Sequence, residues 1–126
     1  MKNNRLTVFL AIIFLISCEK ELPKFAKIQF NKEINFGVIN TNDTIVKTFY
    51  LLNTSTNLLK IKQVKTGCGC TIAKLKDSII KPNNKAEIKV QYVADSDQKG
   101  EINKSIVIDA NTNPNFTVLY LKGRVE

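Results

Sequence analysis

The chain has no histidine and no tryptophan among its 126 residues, one methionine and only three cysteines. The missing histidine removes the usual neutral-pH proton carrier and the commonest metal ligand. It excludes Ser-His-Asp and Cys-His catalysis, histidine-containing zinc sites and c-type haem attachment. No apolar run reaches the roughly 20 residues that a membrane-spanning helix needs. What is present is a globular composition, 44% hydrophobic and 24% charged, which excludes a disordered or low-complexity chain.

Residues 1–17 have the layout of a secretory signal. Lys2 and Arg5 supply a short positive start, and Leu6 to Ile16 is apolar apart from Thr7. The run ends in Leu15-Ile16-Ser17-Cys18 instead of an Ala-x-Ala site. That tetrapeptide resembles the lipobox of bacterial lipoproteins, in which cleavage precedes the cysteine and the cysteine is then lipidated. The resemblance implies lipid on Cys18, which would hold the chain to a membrane by hydrocarbon partition. Residues 18–27 then form the lipidated cysteine and a polar tether. Residues 28–126 form a single domain of the size that supports one core.

Charge is read without the signal. Loss of Lys2 and Arg5 leaves 17 basic against 11 acidic residues, so the net falls from +8 to +6. The lysines are dispersed, and Arg124 is the one arginine left. Nucleic-acid binding wants clustered basic residues with arginine and stacking aromatics, so no nucleic-acid partner is expected.

From Ile28 onward the apolar residues recur with a period near two, the mark of strands. Ile28 and Phe30, then Ile34 and Phe36, alternate with polar neighbours, and Gly37 ends that run or admits a bulge. Thr44 to Asn53 is the longest run. Both of its parities are apolar towards the end, which predicts a central strand covered on both sides. Asn53 to Asn57 is a turn rich in side chains that bond to backbone. Leu59 and Ile61 face inward on the next strand, and Ile72 and Leu75 mark a short one after it. Ile79-Ile80 stops at Pro82. Ile88, Val90 and Tyr92 alternate with Lys89 and Gln91, and Asp95 to Gly100 is expected to be a polar hairpin loop. Ile106 and Ile108, then Leu119, Leu121 and Val125, complete the inward set. About seven or eight strands with no helical period predict an antiparallel β-sandwich.

Thr66-Gly67-Cys68-Gly69-Cys70-Thr71 breaks the strand pattern. In an extended strand the two cysteines would have α-carbons roughly 6.5–7 Å apart. A disulfide prefers about 5.5–6 Å, so closing one needs a turn at Gly69. Such a ring is tight and gives little chain-entropy stabilisation. Four readings stay open: packing of two small thiols, reduced or joined; a redox pair exchanging thiols with a partner; a soft-metal site for Cu(I); and a bridge or composite site with a partner molecule. Carboxylates give no competing site. Asp43, Asp77, Asp95, Asp97 and Asp109 are scattered with no paired spacing, and Asp95-Ser96-Asp97 lacks the rest of a calcium loop.

A family resemblance rests on Phe36-Gly37-Val38-Ile39, Phe49 to Asn53, Leu59-x-Ile61-x-x-Val64, Gly67-Cys68-Gly69-Cys70-Thr71, Ile80-x-Pro82, Gly100 and Leu121-x-Gly123-x-Val125. In these residues the chain resembles the Bacteroidota-type DUF1573 proteins over Ile34 to Val125. It departs from them in two places. Gly67 stands where serine is usual, and Asn83 stands where glycine follows the proline turn, a position Asn can still fill in the left-handed conformation. The resemblance implies an immunoglobulin-like sandwich, similar to sperm-protein and hydin-type domains that serve as binding or assembly modules. It implies no enzyme activity and no cofactor.

Two short motifs, Asp43-Thr44-Ile45 and Asp77-Ser78-Ile79, resemble the O-glycosylation motif of Bacteroidota exported proteins and imply glycans on Thr44 and Ser78. The resulting expectation is a non-enzymatic lipoprotein of the cell envelope, anchored through Cys18 at the outer membrane, that binds a protein or glycan. The alternative is thiol redox or copper handling through Cys68 and Cys70.

Overall fold

The computed structural model describes residues 24–126, so the signal segment, Cys18 and most of the tether lie outside the described residues. Nine strands form: β1 (Ile28–Phe30), β2 (Glu33–Ile39), β3 (Thr44–Asn53), β4 (Leu59–Thr66), β5 (Thr71–Leu75), β6 (Ile79–Ile80), β7 (Lys85–Val93), β8 (Gly100–Ala110) and β9 (Phe116–Val125). They make two sheets, ordered β1-β3-β7-β5 and β2-β9-β8-β4-β6. The period-two pattern becomes the layer between them. β7 turns Ala86, Ile88, Val90 and Tyr92 inward while Lys89 and Gln91 stay in water. β4 sends in Leu59 and Ile61, β8 sends in Ile106 and Ile108, and β9 sends in Leu119, Leu121 and Val125. These faces meet in one hydrophobic core, the all-β sandwich that the alternation predicts.

Several local expectations are corrected. Among the described residues there are nine strands where the sequence pattern predicts about seven or eight, two of them, β1 and β6, only three and two residues long. The Asp95 to Gly100 loop is not a hairpin, since β7 and β8 belong to opposite sheets and the loop crosses between them. The sandwich is not wholly antiparallel. β1 pairs antiparallel with β3, the chain then changes sheet, and β2 runs parallel to β9. Gly37 does not end β2. It has φ +81 and sits in a bulge where the β2–β9 register shifts, its amide donating to Asn35 Oδ1 at 2.8 Å. β3 is covered on one face only: Val46 and Tyr50 remain about half exposed, because among the described residues no third layer packs outside this sheet. Ala26, in the segment read as tether, is buried. Its amide donates to the Asn111 carbonyl, so ordered packing begins before β1.

One buried polar side chain joins three segments. Asn53, at 0% exposure, ends β3. Its Nδ2 donates to the carbonyls of Asn57 at 2.8 Å and Ile80 at 3.0 Å. Its Oδ1 accepts from the amide and the hydroxyl of Ser55. Its backbone exchanges hydrogen bonds with Asn83 and Asn84 in the turn before β7. Asn83 adopts the left-handed conformation there, φ 66, as its place after Pro82 requires. All four side-chain valences of a fully dry amide are thereby satisfied.

A missing side chain positions an aromatic pair. A Cβ on Gly123 in β9 would overlap the ring of Phe36 in β2. With hydrogen there instead, Phe36 reaches Tyr92 and stacks at 5.7 Å between centroids.

Two stability predictions follow from these packings, both read as midpoints of chemical denaturation. Gly123→Ala lowers stability by about 1–3 kcal/mol, the usual cost of overpacking, and Phe36→Leu in the same chain recovers part of that loss. Asn53→Asp, nearly the same shape, costs about 2–4 kcal/mol, because a carboxylate cannot donate to the Asn57 and Ile80 carbonyls.

Candidate functional site

β4 ends at Thr66 in one sheet and β5 begins at Thr71 in the other. The Gly-Cys-Gly-Cys link is therefore the crossing between sheets, at one end of the sandwich. Local hydrogen bonds fold it. The Thr71 amide donates to the Cys68 carbonyl at 3.3 Å, and Thr66 Oγ1 donates to the Thr71 carbonyl at 2.8 Å. The Val93 amide donates to the Cys70 carbonyl at 3.0 Å and fixes the start of β5 against β7.

Cys68 and Cys70 are joined by a disulfide across a sequence separation of 2, with α-carbons 5.5 Å apart. The turn that closes it does not use a left-handed glycine. Positive φ occurs at Gly37 and Gly100, not at Gly67 or Gly69. Apart from the two cysteines themselves, a Cβ on Gly69 would meet nothing within 4 Å, so the tip of the crossing faces open space. Both cysteines are half-buried between the exposed Gly67 and Gly69. Beneath them lies Thr71, 3% exposed, with Oγ1 at 3.7 Å from Cys68 Sγ and 3.9 Å from Cys70 Sγ.

The surroundings come from β7 and β8. Thr71 pairs with Tyr92, and Thr66 pairs with Ile106. A Cβ on Gly67 would lie 3.5 Å from Ser105 Oγ of β8, which places the start of the crossing against that strand. Lys104 shares the inward parity of Ile102 and Ile106, is half-buried, and holds its ammonium 5.7 Å from the centre of the Tyr92 ring. The Tyr92 hydroxyl donates to Gln98 Oε1 at 3.2 Å. Burial pushes that hydroxyl above its ordinary titration range, and the Asp95 carboxylate adds to the shift. Lys104, Tyr92 and Gln98 carry no sequence motif. Only the pairing of strands distant in sequence assembles them.

The other sites read from sequence fall elsewhere. Thr44 is exposed at the first position of β3, and Ser78 is exposed one residue before β6. Asp43 accepts from the Asn40 amide in a turn, and Asp109 lies within β8, 3.4 Å from Asn115 Nδ2. Among the described residues no three His, Cys, Asp or Glu side chains gather where a metal ion could be held. With the sulfurs bonded to each other, a copper site at this place requires the reduced dithiol.

β5 is also a free edge. The bonds between Cys70 and Val93 and between Lys76 and Glu87 set the antiparallel alternation, so the amides and carbonyls of Ala73 and Leu75 point away from β7. The outer face beside this edge presents Ile72 and Val46, each about half exposed, on either side of Gln91. Next to them a shallow groove of about 420 Å³ is lined by Thr48, Tyr50, Lys74, Leu75, Lys76, Glu87 and Lys89, with Lys76 paired to Glu87 at 3.8 Å.

The fold recurs in solved structures of low identity. A protein of unknown function from Porphyromonas gingivalis superposes with TM-score 0.70 at 14% identity, over 81% of this chain and 48% of that one. The PapD-like domain 7 of human CEP192 superposes with TM-score 0.64 at 12% identity, over 89% and 93%. The secreted serine protease VesC from Vibrio cholerae superposes with TM-score 0.61 at 7% identity, over 78% and 23%. The chain thus spans about half of the Porphyromonas protein and about a quarter of the protease. At these identities the likeness is one of fold. No curated protein matches the chain in sequence. The sequence profile of DUF1573, described as a protein of unknown function, matches residues 28–125, and the chain belongs to that family.

Proposed function

We propose that the chain is a non-enzymatic binding module of the bacterial envelope that takes an extended, acidic protein segment onto the free edge of β5. The observation that carries the reading is that edge: the backbone groups of Ala73 and Leu75 point away from β7 beside Ile72, with Lys74 and Lys89 on the adjoining groove next to the Lys76–Glu87 pair. An added strand would complete the ladder through its main chain and place alternate side chains over Ile72 and the groove. The lysines complement a negative partner, in keeping with the excess of basic residues along the chain. Lipid on Cys18 holds the module at the outer membrane in this reading, and the exposed Thr44 and Ser78 carry glycans.

Pull-down from intact envelopes with mild crosslinking tests the edge. The native chain is expected to enrich a protein partner, and Lys74→Glu weakens the capture about tenfold. Ala73→Pro, which removes an outward amide at a position an edge strand tolerates, abolishes capture while the β-sheet circular dichroism stays native. Equal capture by all three chains, or enrichment of polysaccharide alone, overturns strand addition.

Intact-mass measurement of the native protein tests the modifications. The chain is expected to lack residues 1–17 and to carry acyl mass on Cys18. Thr44→Ala and Ser78→Ala should each remove one glycan increment. An unacylated chain sinks the anchor, and masses that differ only by the exchanged side chains sink the glycans.

A further inference from the structure

We propose that the Cys68–Cys70 disulfide is a thiol–disulfide exchange site that accepts two electrons from the dithiol of a partner protein, with Thr71 and Lys104 stabilising the departing thiolate. The inference stands apart from strand addition at β5.

A disulfide that staples a fold ties distant segments. This one ties residues at a separation of 2, so it removes almost no freedom from the unfolded chain. The ladders β4–β8 and β5–β7 already hold both sides of the crossing. Structural need therefore accounts poorly for two cysteines at this place. Accessibility is consistent with chemistry there. Both cysteines are partly exposed, their neighbours Gly67 and Gly69 are exposed, and no other residue crowds Gly69. The pair thus stands at an uncovered tip of the sandwich that a partner can reach.

The groups that exchange needs are also in place. The leaving sulfur of a disulfide departs as a thiolate, and hydrogen-bond donors and cations beside it speed that departure. Thr71 Oγ1 lies within 4 Å of both sulfurs, so its hydroxyl can donate to whichever one leaves. Thr71 is buried and its carbonyl is held by Thr66, which fixes the hydroxyl under the pair. Lys104, itself half-buried, brings its ammonium to the same end of the sandwich, over the ring of Tyr92, the residue that pairs with Thr71. A partially desolvated cation acts on a nearby anion more strongly than an exposed one.

A partner thiolate attacks one sulfur, the S–S bond breaks, a mixed disulfide forms, and the electron pair remains on the other sulfur. The partner's second thiolate then attacks the partner-side sulfur of the mixed disulfide. That closes the partner's own disulfide and releases the second thiolate of the domain. The domain gains two electrons, the partner loses two, and the two protons given up by the partner's thiols end on Cys68 and Cys70.

Exchange is measured on the purified full chain in its oxidised form, with reduced glutathione and separately dithiothreitol as probes. Alkylation and mass read the thiols, while circular dichroism follows the fold. Millimolar glutathione is expected to open the disulfide with the fold intact. Lys104→Gln slows the opening roughly 3- to 10-fold, and Lys104→Arg restores it. Thr71→Val slows it similarly. Because Thr71 is buried and its loss could loosen the crossing, the Lys104 pair decides the outcome. Opening that occurs only together with loss of the sheet signal overturns the proposal, and so does an unchanged rate in Lys104→Gln.

Discussion

The sandwich depends on a dry amide. Asn53 stands where β3 leaves one sheet and the chain sets out towards the other, and its side chain binds the Asn53–Asn57 turn to β6. Through its backbone it also fixes the turn that starts β7. An apolar residue would leave the Asn57 and Ile80 carbonyls without partners in the core, and those orphaned groups would oppose folding. The core residues on either side gain their burial only if these segments meet in one register. In that sense the hydrophobic layer is placed by a polar one.

Much of this layer is legible in the sequence, because a strand with one wet face must alternate. Ile88, Val90 and Tyr92, or Leu119, Leu121 and Val125, announce their inner face by parity alone. The same rule misleads at β3. Val46, Tyr50 and Leu52 are apolar on the outer parity, yet Val46 and Tyr50 face water. Parity says which residues share a face and does not say whether a layer covers it. Sheet membership is hidden for a related reason. The loops from β1 to β2 and from β7 to β8 are short and polar, like hairpin loops, yet each changes sheet. Asn53 reads as one more turn residue, since local composition cannot tell a solvated asparagine from a buried one. Gly123 gives no hint that it makes room for Phe36.

The cysteine site divides in the same way. Spacing singles out Cys68 and Cys70 and requires a bend at Gly69 for them to join. It does not reveal that the bend is the crossing between sheets, or that Thr71, Tyr92 and Lys104 gather around it. Those neighbours come from β5, β7 and β8, and only the ladders bring them together. The crossing also fixes the first residues of β5, through the Cys70 carbonyl and the Val93 amide. The outward backbone groups of Ala73 and Leu75 and the sulfur pair are therefore two parts of one short stretch of chain.

The packing of Ala26 gives the domain a polarity. The N-terminal segment docks beside Asn57 and Asn111, at the end of the sandwich where β4 begins with Leu59. The disulfide lies beyond Thr66, where β4 ends. Eight strand residues separate the two ends, roughly 25 Å at the usual rise. The segment by which the chain enters the domain and the sulfur pair therefore occupy opposite poles. The body of the sandwich stands between them, so a partner that meets the entering segment and one that meets the sulfurs do not compete for the same surface.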